Sequence, residues 1–244
     1  MTVSLPALRI RAIVLDIEGT TTPVDFVYKV LFPYASAHVA AYLEREWDSA
    51  DCREAVALLR EEHRQDEAED FSPAVADFSP AVAANYVASL MDQDRKSTGL
   101  KMLQGLVWEQ GYRAGELHGD VYADVPPALK RWSAHGLRVC IYSSGSALAQ
   151  RLIFETTQAG DLTKFLSGYF DTTVGAKRNA DSYRRIVEKI GVAPADTLFV
   201  SDVAAELDAA VAAGLHAVLC VRPGVVDPAG PVYPVIHTFD EIAN

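Results

Sequence analysis

The clearest pattern along the chain is Ala12-Ile13-Val14-Leu15, four apolar residues followed at once by Asp16-Ile17-Glu18-Gly19-Thr20-Thr21-Thr22-Pro23. An unbroken apolar run with two β-branched members reads as a strand buried on both faces, and the change to acids, Gly and Thr marks its C-terminal end. From Pro23 the period becomes helical. Phe26 to Trp47 carries Val27, Val30, Leu31, Tyr34, Val39, Tyr42 and Leu43 at mixed spacings of three and four, interrupted at Pro33. Cys52 to His63 continues as an amphipathic helix, and Asn85 to Asp92 and Ser97 to Tyr112 resume the pattern, with Leu100, Leu103, Leu106 and Val107 in one stripe. Roughly a hundred residues of this kind exceed any simple crossover connection and predict an inserted domain. Within it, the seven residues Asp70 to Ala76 are repeated at once from Asp77 to Ala83. Two copies are too few for a solenoid, and Pro73 and Pro80 weaken a helix, so the repeat reads as a loop or two short turns.

Alternation of strand and helix returns at Asp124, which can cap a helix with Pro126 in its first turn and Gly136 at its end. Leu137 to Tyr142, Gly168 to Val174, Thr197 to Ser201 and His216 to Val221 read as strands. Ser146 to Thr157, Asp181 to Ile190 and Ala204 to Ala213 read as the helices between them. This order predicts an α/β fold: a doubly wound parallel sheet of residues 1–23 and 122–244, with an all-helical cap of residues 24–121 inserted after the first strand. Both ends of the insertion fall at the C-terminal edge of that strand, where open α/β sheets place ligands, so the insertion is expected to roof Asp16.

Half of the 244 residues are hydrophobic, which suits a globular chain with a real core. A formal net charge of −11 argues against a nucleic-acid or anionic-membrane surface and leaves room for a local basic site. Cys52, Cys140 and Cys220 are far apart and lack CxxC spacing, which suits small buried side chains in a reducing compartment, and the six histidines form no zinc-binding pair. No apolar run approaches a membrane span, and the N-terminal one lacks a cleavage pattern, so the expectation is a cytoplasmic monomer.

Four predicted strand ends carry candidate chemistry. Asp16 and Glu18 end the first; two positions apart, they point to one face if the strand stays regular. Ser143-Ser144-Gly145-Ser146 follows the second and opens a helix, where free N–H groups favour an anion. No Gly stands two before the central Ser, so this is not a nucleophile elbow. Lys177 follows the third. Ser201-Asp202 follows the fourth, with Glu206 one helical turn on. Each feature alone has an ordinary alternative as a capped turn or a solvated lysine. Together they complement one another. Two carboxylates about 4 Å apart repel by roughly 4 kcal/mol at an effective dielectric of about 20, so Asp16, Glu18 and Asp202 need a cation. Mg²⁺ takes hard oxygen ligands and shares them with a phosphate. Lys177 adds positive charge, and the Ser143 turn offers donors to a phosphoryl group.

In this order around a helical insertion, these groups resemble the haloacid dehalogenase superfamily of aspartate-nucleophile phosphatases, with Glu18 where the usual DxDGT motif has a second Asp. The strings LDIEGTTTP, LFPYA, DRKSTGLKMLQG, YADVPPALKRW, IYSSGS and FDTTVGAK, spread over most of the chain, closely resemble the enolase-phosphatase (acireductone synthase) family of methionine salvage. The repeat from Asp70 to Ala83 has no counterpart in that pattern. The resemblance implies enolisation and then dephosphorylation of 2,3-diketo-5-methylthiopentyl-1-phosphate. It implies Asp16 as nucleophile and Mg²⁺ ligand, Glu18 as metal position through carbonyl or carboxylate, and Asp202 as metal ligand. Ser143 and Ser144 become substrate-phosphate ligands, and Lys177 the residue that neutralises Asp16 and phosphate. Glu18 is also a candidate for moving protons, and Glu206 for supporting the site. Phe26, Tyr28, Trp108, Tyr112 and Tyr122 are candidates for the methylthio tail by apolar character alone.

Competing readings are a Mg²⁺-dependent phosphatase or phosphomutase for another small phosphate ester, a hydrolytic dehalogenase, and a phospho-receiver signalling module. A dehalogenase has no use for the acidic metal cluster, and a receiver keeps its acids together without a helical roof.

Overall fold

The computed structural model describes residues 2–69, 78–95, 97–230 and 232–243. The chain divides into two compact units, the helical stretch Val27–Leu117 and the parts of the chain before and after it.

The second of these units is built on a six-stranded, fully parallel sheet. Strand β1 (Val3–Ser4) lies outside it, paired with the last strand, β8 (Ile242–Ala243); β2 is Ala12–Leu15, β3 Arg138–Tyr142, β4 Gly168–Phe170, β5 Thr197–Ser201, β6 His216–Cys220 and β7 Val235–Ile236. Their order is β4-β3-β2-β5-β6-β7, which puts β2 next to the middle with β3 and β5 as neighbours. Ala12, Ile13, Val14 and Leu15 are all fully buried, as an apolar run without alternation requires. Ala12 and Val14 pack with Cys140, Tyr142, Tyr183 and Phe199 on one side. Alternation sends Ile13 and Leu15 to the other.

Helix α1 (Val24–Phe26) stands at the entry to the insertion; after the insertion the sheet unit holds α6 (Val125–Ala134), α7 (Ala147–Glu155), α8 (Ala180–Ile190) and α9 (Ala204–Ala212). Each of the last four lies between two strands of the predicted alternation. α6 packs on β3 and α9 on β5 and β6, so the connections cover the sheet. Gly136 and Gly191 end α6 and α8 with φ of 76° and 71°, the left-handed conformation that makes glycine the usual stop. Asp124 stands at the N-cap of α6, as its position in sequence predicts, but makes no capping bond. Its carboxylate instead accepts from Arg222 Nη1 at 2.7 Å and Phe239 N at 2.6 Å. Charge-assisted bonds to a buried guanidinium outweigh a local cap.

The helical unit holds a π-helical segment Val27–Leu31, then α2 (Phe32–Glu46), α3 (Ala50–Glu69), α4 (Pro80–Asp92) and α5 (Thr98–Arg113). Pro33 follows the π-helical segment with no gap in the helix, since Leu31 keeps φ and ψ of −67° and −49°; in place of the expected interruption the helix changes type around the N–H that proline lacks. Pro80 likewise begins α4 behind the N-cap Ser79, and the last residues of the sequence repeat are therefore helical and not the expected turn. The first copy and Asp77 lie outside the described residues. Leu43, Leu59, Leu90 and Leu103 bring the four α-helices onto one buried core with Cys52 and Phe78. The three cysteines are buried and form no disulfide. Among the described residues no helix is long and apolar enough to cross a membrane.

Candidate active site

Parallel pairing brings the chemistry-bearing strand ends to one edge. Leu15 lies opposite Ile141 of β3 and Val200 of β5, and Asp16 N donates to Val200 O at 3.0 Å, so Asp16, Ser143 and Ser201 leave the sheet together. Asp16 is 4% exposed. Its Oδ1 accepts from Lys177 Nζ at 2.6 Å and Ile17 N at 2.7 Å, and its Oδ2 accepts from Ser201 Oγ at 3.0 Å. Both carboxylate oxygens are thus held by hydrogen bonds.

Lys177 reaches this point from beyond β4 because its loop is pinned from below. Tyr142 Oη donates to Gly175 O at 2.9 Å, Ser182 Oγ to Ala176 O at 2.8 Å, and Tyr183 Oη to Lys177 O at 2.7 Å. Lys177 Nζ also contacts Glu206 Oε2 at 2.6 Å and lies 6.0 Å from the Tyr142 ring centroid. Burial opposes the charge on Lys177, but the carboxylates of Asp16 and Glu206 outweigh it and hold the ammonium above the usual lysine range. One ammonium cannot neutralise both acids. Burial and the charge of Asp16 therefore push the Glu206 carboxyl up, against the pull of Lys177. Ser201 Oγ has a single proton to share between Asp16 Oδ2 and Glu206 Oε2, the latter at 3.2 Å, and accepts from Val203 N at 3.1 Å.

Asp202 follows β5 and does not cap α9. Part of it reaches solvent, yet loss of hydration and then the charge of Asp16 push its carboxyl up to about 6. It faces Gly19, which has a φ of 68°: a Cβ there would stand 2.2 Å from Asp202 Oδ2. Only glycine permits both the backbone conformation and the approach. Glu18 does not continue the strand alternation. β2 ends at Leu15, Asp16 is buried, and Glu18 is exposed in a tight loop bridged to Thr22. In that loop the amides of Thr20, Thr21 and Thr22 all donate to Ile17 O, at 3.2, 2.9 and 2.9 Å.

Ser143 is buried and Ser144 exposed at the turn before α7. Ser143 Oγ accepts from Gly145 N at 3.4 Å. Gln150 shapes this turn: its buried Nε2 donates to Gly145 O and Phe170 O, both at 2.8 Å, and approaches Ser143 O at 3.4 Å. Sequence reasoning assigns no role to Gln150, Ser201 or Arg222. Ser201 and Arg222 act through tertiary contacts that no local pattern announces, whereas a lone Gln among the buried positions of an amphipathic helix is a readable signal. Of the aromatic candidates, Phe26 and Tyr112 are buried, Tyr28 is exposed, Trp108 donates from Nε1 to Leu31 O, and Tyr122 stacks on Arg222.

The groups of Asp16 and Asp202 that could hold a cation are carboxylate oxygens, which are hard ligands; burial first, and then the charge of Asp16, raises the Asp202 carboxyl. Among the described residues no three Asp, Glu, His or Cys side chains form a ready cation cage. Such a sparse set suits Mg²⁺, which keeps several waters and takes further oxygens from a substrate phosphate. A cleft of about 880 Å³, lined by Gly19, Tyr122, Asp202, Val221, Arg222 and Tyr233 among others, opens on the Asp202 side.

The sequence pattern of the haloacid dehalogenase-like hydrolases matches residues 10–214. Over 96% of its length the chain is 50% identical to the Enolase-phosphatase E1 of Synechococcus elongatus, covering 98% of that protein. The Enolase-phosphatase E1 of Sorangium cellulosum is 45% identical, over 98% of this chain and all of its own length. Among solved structures, the UTR4 protein of Saccharomyces cerevisiae superposes with a TM-score of 0.76 at 33% identity, covering 95% of this chain and 99% of that one.

Proposed function

The chain belongs to the haloacid dehalogenase-like hydrolases and, within them, to the enolase-phosphatases, and from that membership we propose that it converts 2,3-diketo-5-methylthiopentyl-1-phosphate to the acireductone 1,2-dihydroxy-3-keto-5-methylthiopentene and phosphate in methionine salvage. The observation that carries the phosphatase half is the Asp16 carboxylate, oriented by Lys177, the Ile17 amide and Ser201 at the strand edge.

In this reading the reaction begins with loss of a proton from C1. The electron pair forms the C1=C2 bond, and the C2 oxygen gains a proton. Glu18 is the base we assign, because its exposed carboxylate stands two positions after Asp16, in the loop that leaves β2. An Asp16 oxygen then attacks phosphorus, and the bond to the enol oxygen breaks with its electron pair leaving on that oxygen, which is protonated. Water attacks phosphorus in the aspartyl-phosphate and regenerates the carboxylate. Ser143, Ser144 and the turn amides hold the phosphoryl oxygens, and Lys177 offsets charge on Asp16 and phosphate; phosphoryl transfer needs mainly such positioning and charge stabilisation. Mg²⁺ held by Asp16, Asp202 and the Glu18 position, through carbonyl or carboxylate, would add positive charge at the phosphate and polarise a substrate carbonyl. The substrate is a small phosphate ester, taken by a cytoplasmic monomer whose charge of −11 does not favour nucleic acid or anionic membrane.

A time course on the diketo phosphate, with and without Mg²⁺, following enol absorbance and phosphate together, tests the assignment. Metal-dependent appearance of both is expected. Brisk hydrolysis of other phosphate esters without turnover of this one points to a general phosphatase. Glu18→Gln is expected to lose enol formation, and undiminished enol formation rules Glu18 out as the base.

A further inference from the structure

Arg222 follows β6 and is 3% exposed, yet none of the chemistry above uses it. Its guanidinium is almost fully engaged. Nε and Nη2 both donate to Thr20 O, at 2.8 and 2.6 Å, and Nη1 donates to Asp124 Oδ2 at 2.7 Å and approaches His237 O at 3.4 Å. The group lies between two rings, 4.2 Å from the Tyr122 centroid and 4.6 Å from that of Phe239. Asp124 balances its charge, so Arg222 acts on its surroundings through position more than through field.

What it positions is the loop after β2. In the strand order β2-β5-β6, Arg222 leaves the third of these strands and grips a carbonyl in the loop of the first. Asp202 leaves the strand between them, with its carboxylate where a Gly19 Cβ would stand 2.2 Å away. Thr20 is the next residue. A small shift of the Thr20 carbonyl therefore changes the gap between Gly19 and Asp202 directly.

We propose that Arg222 is a positioning residue of the reaction centre: by clamping the Thr20 carbonyl it fixes the Gly19–Thr22 loop against Asp202 and so sets the affinity of the Asp16 and Asp202 carboxylates for a divalent cation. The inference rests on the Mg²⁺ reading of that site. Lysine at 222 keeps the charge and can pair with Asp124. It lacks the planar fork that serves Thr20 and Asp124 together between two rings.

The test is calorimetric titration of Mg²⁺ into the metal-free full chain without substrate, for wild type and Arg222→Lys, with folding checked by thermal unfolding. The dissociation constant is expected to rise on the order of tenfold, as for other groups that orient ligands from behind. Saturating Mg²⁺ should restore kcat to within about twofold of wild type. Tyr122→Leu removes one ring from the guanidinium but keeps the backbone bond from Tyr122 N to Thr21 O at 3.0 Å. It should raise the constant by a few-fold, on the scale of a cation–π contact, and it decides the matter if Arg222→Lys does not fold. A merely structural role would lower the unfolding temperature and the fraction of active protein with the dissociation constant unchanged. That result overturns the inference and leaves the Mg²⁺ site standing. Failure of the wild type to bind Mg²⁺ overturns both.

Discussion

At the scale of single residues, the site is tuned by groups that cannot be exchanged for close relatives. Gly19→Ala forces a Cβ into the space of the Asp202 carboxylate at a φ of 68°. We expect phosphate release to fall at least ~100-fold, consistent with the sensitivity of catalysis to ångström displacements, while circular dichroism shows a folded protein. Asp202 gives a pH signature. Its folded pKa of about 6 lies above the ordinary aspartate value, so between about pH 4 and 6 the folded state binds more protons than the unfolded one. This contribution to metal-free stability is present below that window and is lost as pH rises through it. Asp202→Asn should therefore make the metal-free protein more stable than wild type at pH 7.5, by ~1 kcal/mol after allowing for solvent screening, with the difference shrinking at pH 4. Mg²⁺ should reverse the ranking at pH 7.5. Equal unfolding temperatures for the two metal-free proteins at pH 7.5 would contradict this.

What was legible at this scale follows a physical rule. Asp16, Ser143, Ser144 and Asp202 stand out because each breaks an apolar run or follows one closely, and a parallel sheet gathers such breaks at one edge; Lys177 is less direct, since β4 ends at Phe170 and not at Val174 as expected, leaving a longer loop before it. Glu18 shows where the rule stops, since alternation holds only while the strand lasts and β2 ends at Leu15. Arg222 and Thr20 are 202 positions apart, and no local pattern connects them.

Among elements, the turn before α7 shows how a helix fixes the backbone that precedes it. Ser146 Oγ accepts from Ala149 N at 3.2 Å as an N-cap, and Gln150 in the first turns of the helix reaches back to hold the backbone at Ser143 and Gly145. Gln150→Leu leaves those buried carbonyls without a donor, a loss of about 1–3 kcal/mol. It should also raise KM for the phosphate ester more than it lowers kcat, read in steady-state kinetics beside a thermal melt. In the helical unit, Ser97 Oγ accepts from Leu100 N at 2.9 Å at the start of α5. Ser97→Ala should lower stability by ~1 kcal/mol without changing activity per folded molecule. The sheet-unit helices were readable from period, caps and terminal glycines. Pro33 and Pro80 suggest interruptions because proline breaks helix interiors, but Pro80 occupies a first turn, where proline is tolerated, and Pro33 sits where the helix passes from π to α. The short strands β1, β7 and β8 gave no signal, since two residues cannot display a period.

For the whole molecule, one buried strand, a long helical insertion and then regular alternation of strands and helices make the architecture readable in the sequence. A buried apolar strand followed by acids marks the edge of the sheet that carries the polar groups. In a chain of −11 formal charge, Lys177 is held between the carboxylates of Asp16 and Glu206. That arrangement keeps the Asp16 carboxylate oriented, and in the proposed reaction it would set an ammonium beside the phosphate. The most direct test of the account is a comparison of wild type with Asp16→Asn on the diketo phosphate in saturating Mg²⁺, recording enol absorbance and released phosphate in one reaction. The account predicts that Asp16→Asn forms the enol phosphate and accumulates it while phosphate release disappears. Continued phosphate release by the variant, at a rate near that of wild type, would contradict Asp16 as the nucleophile.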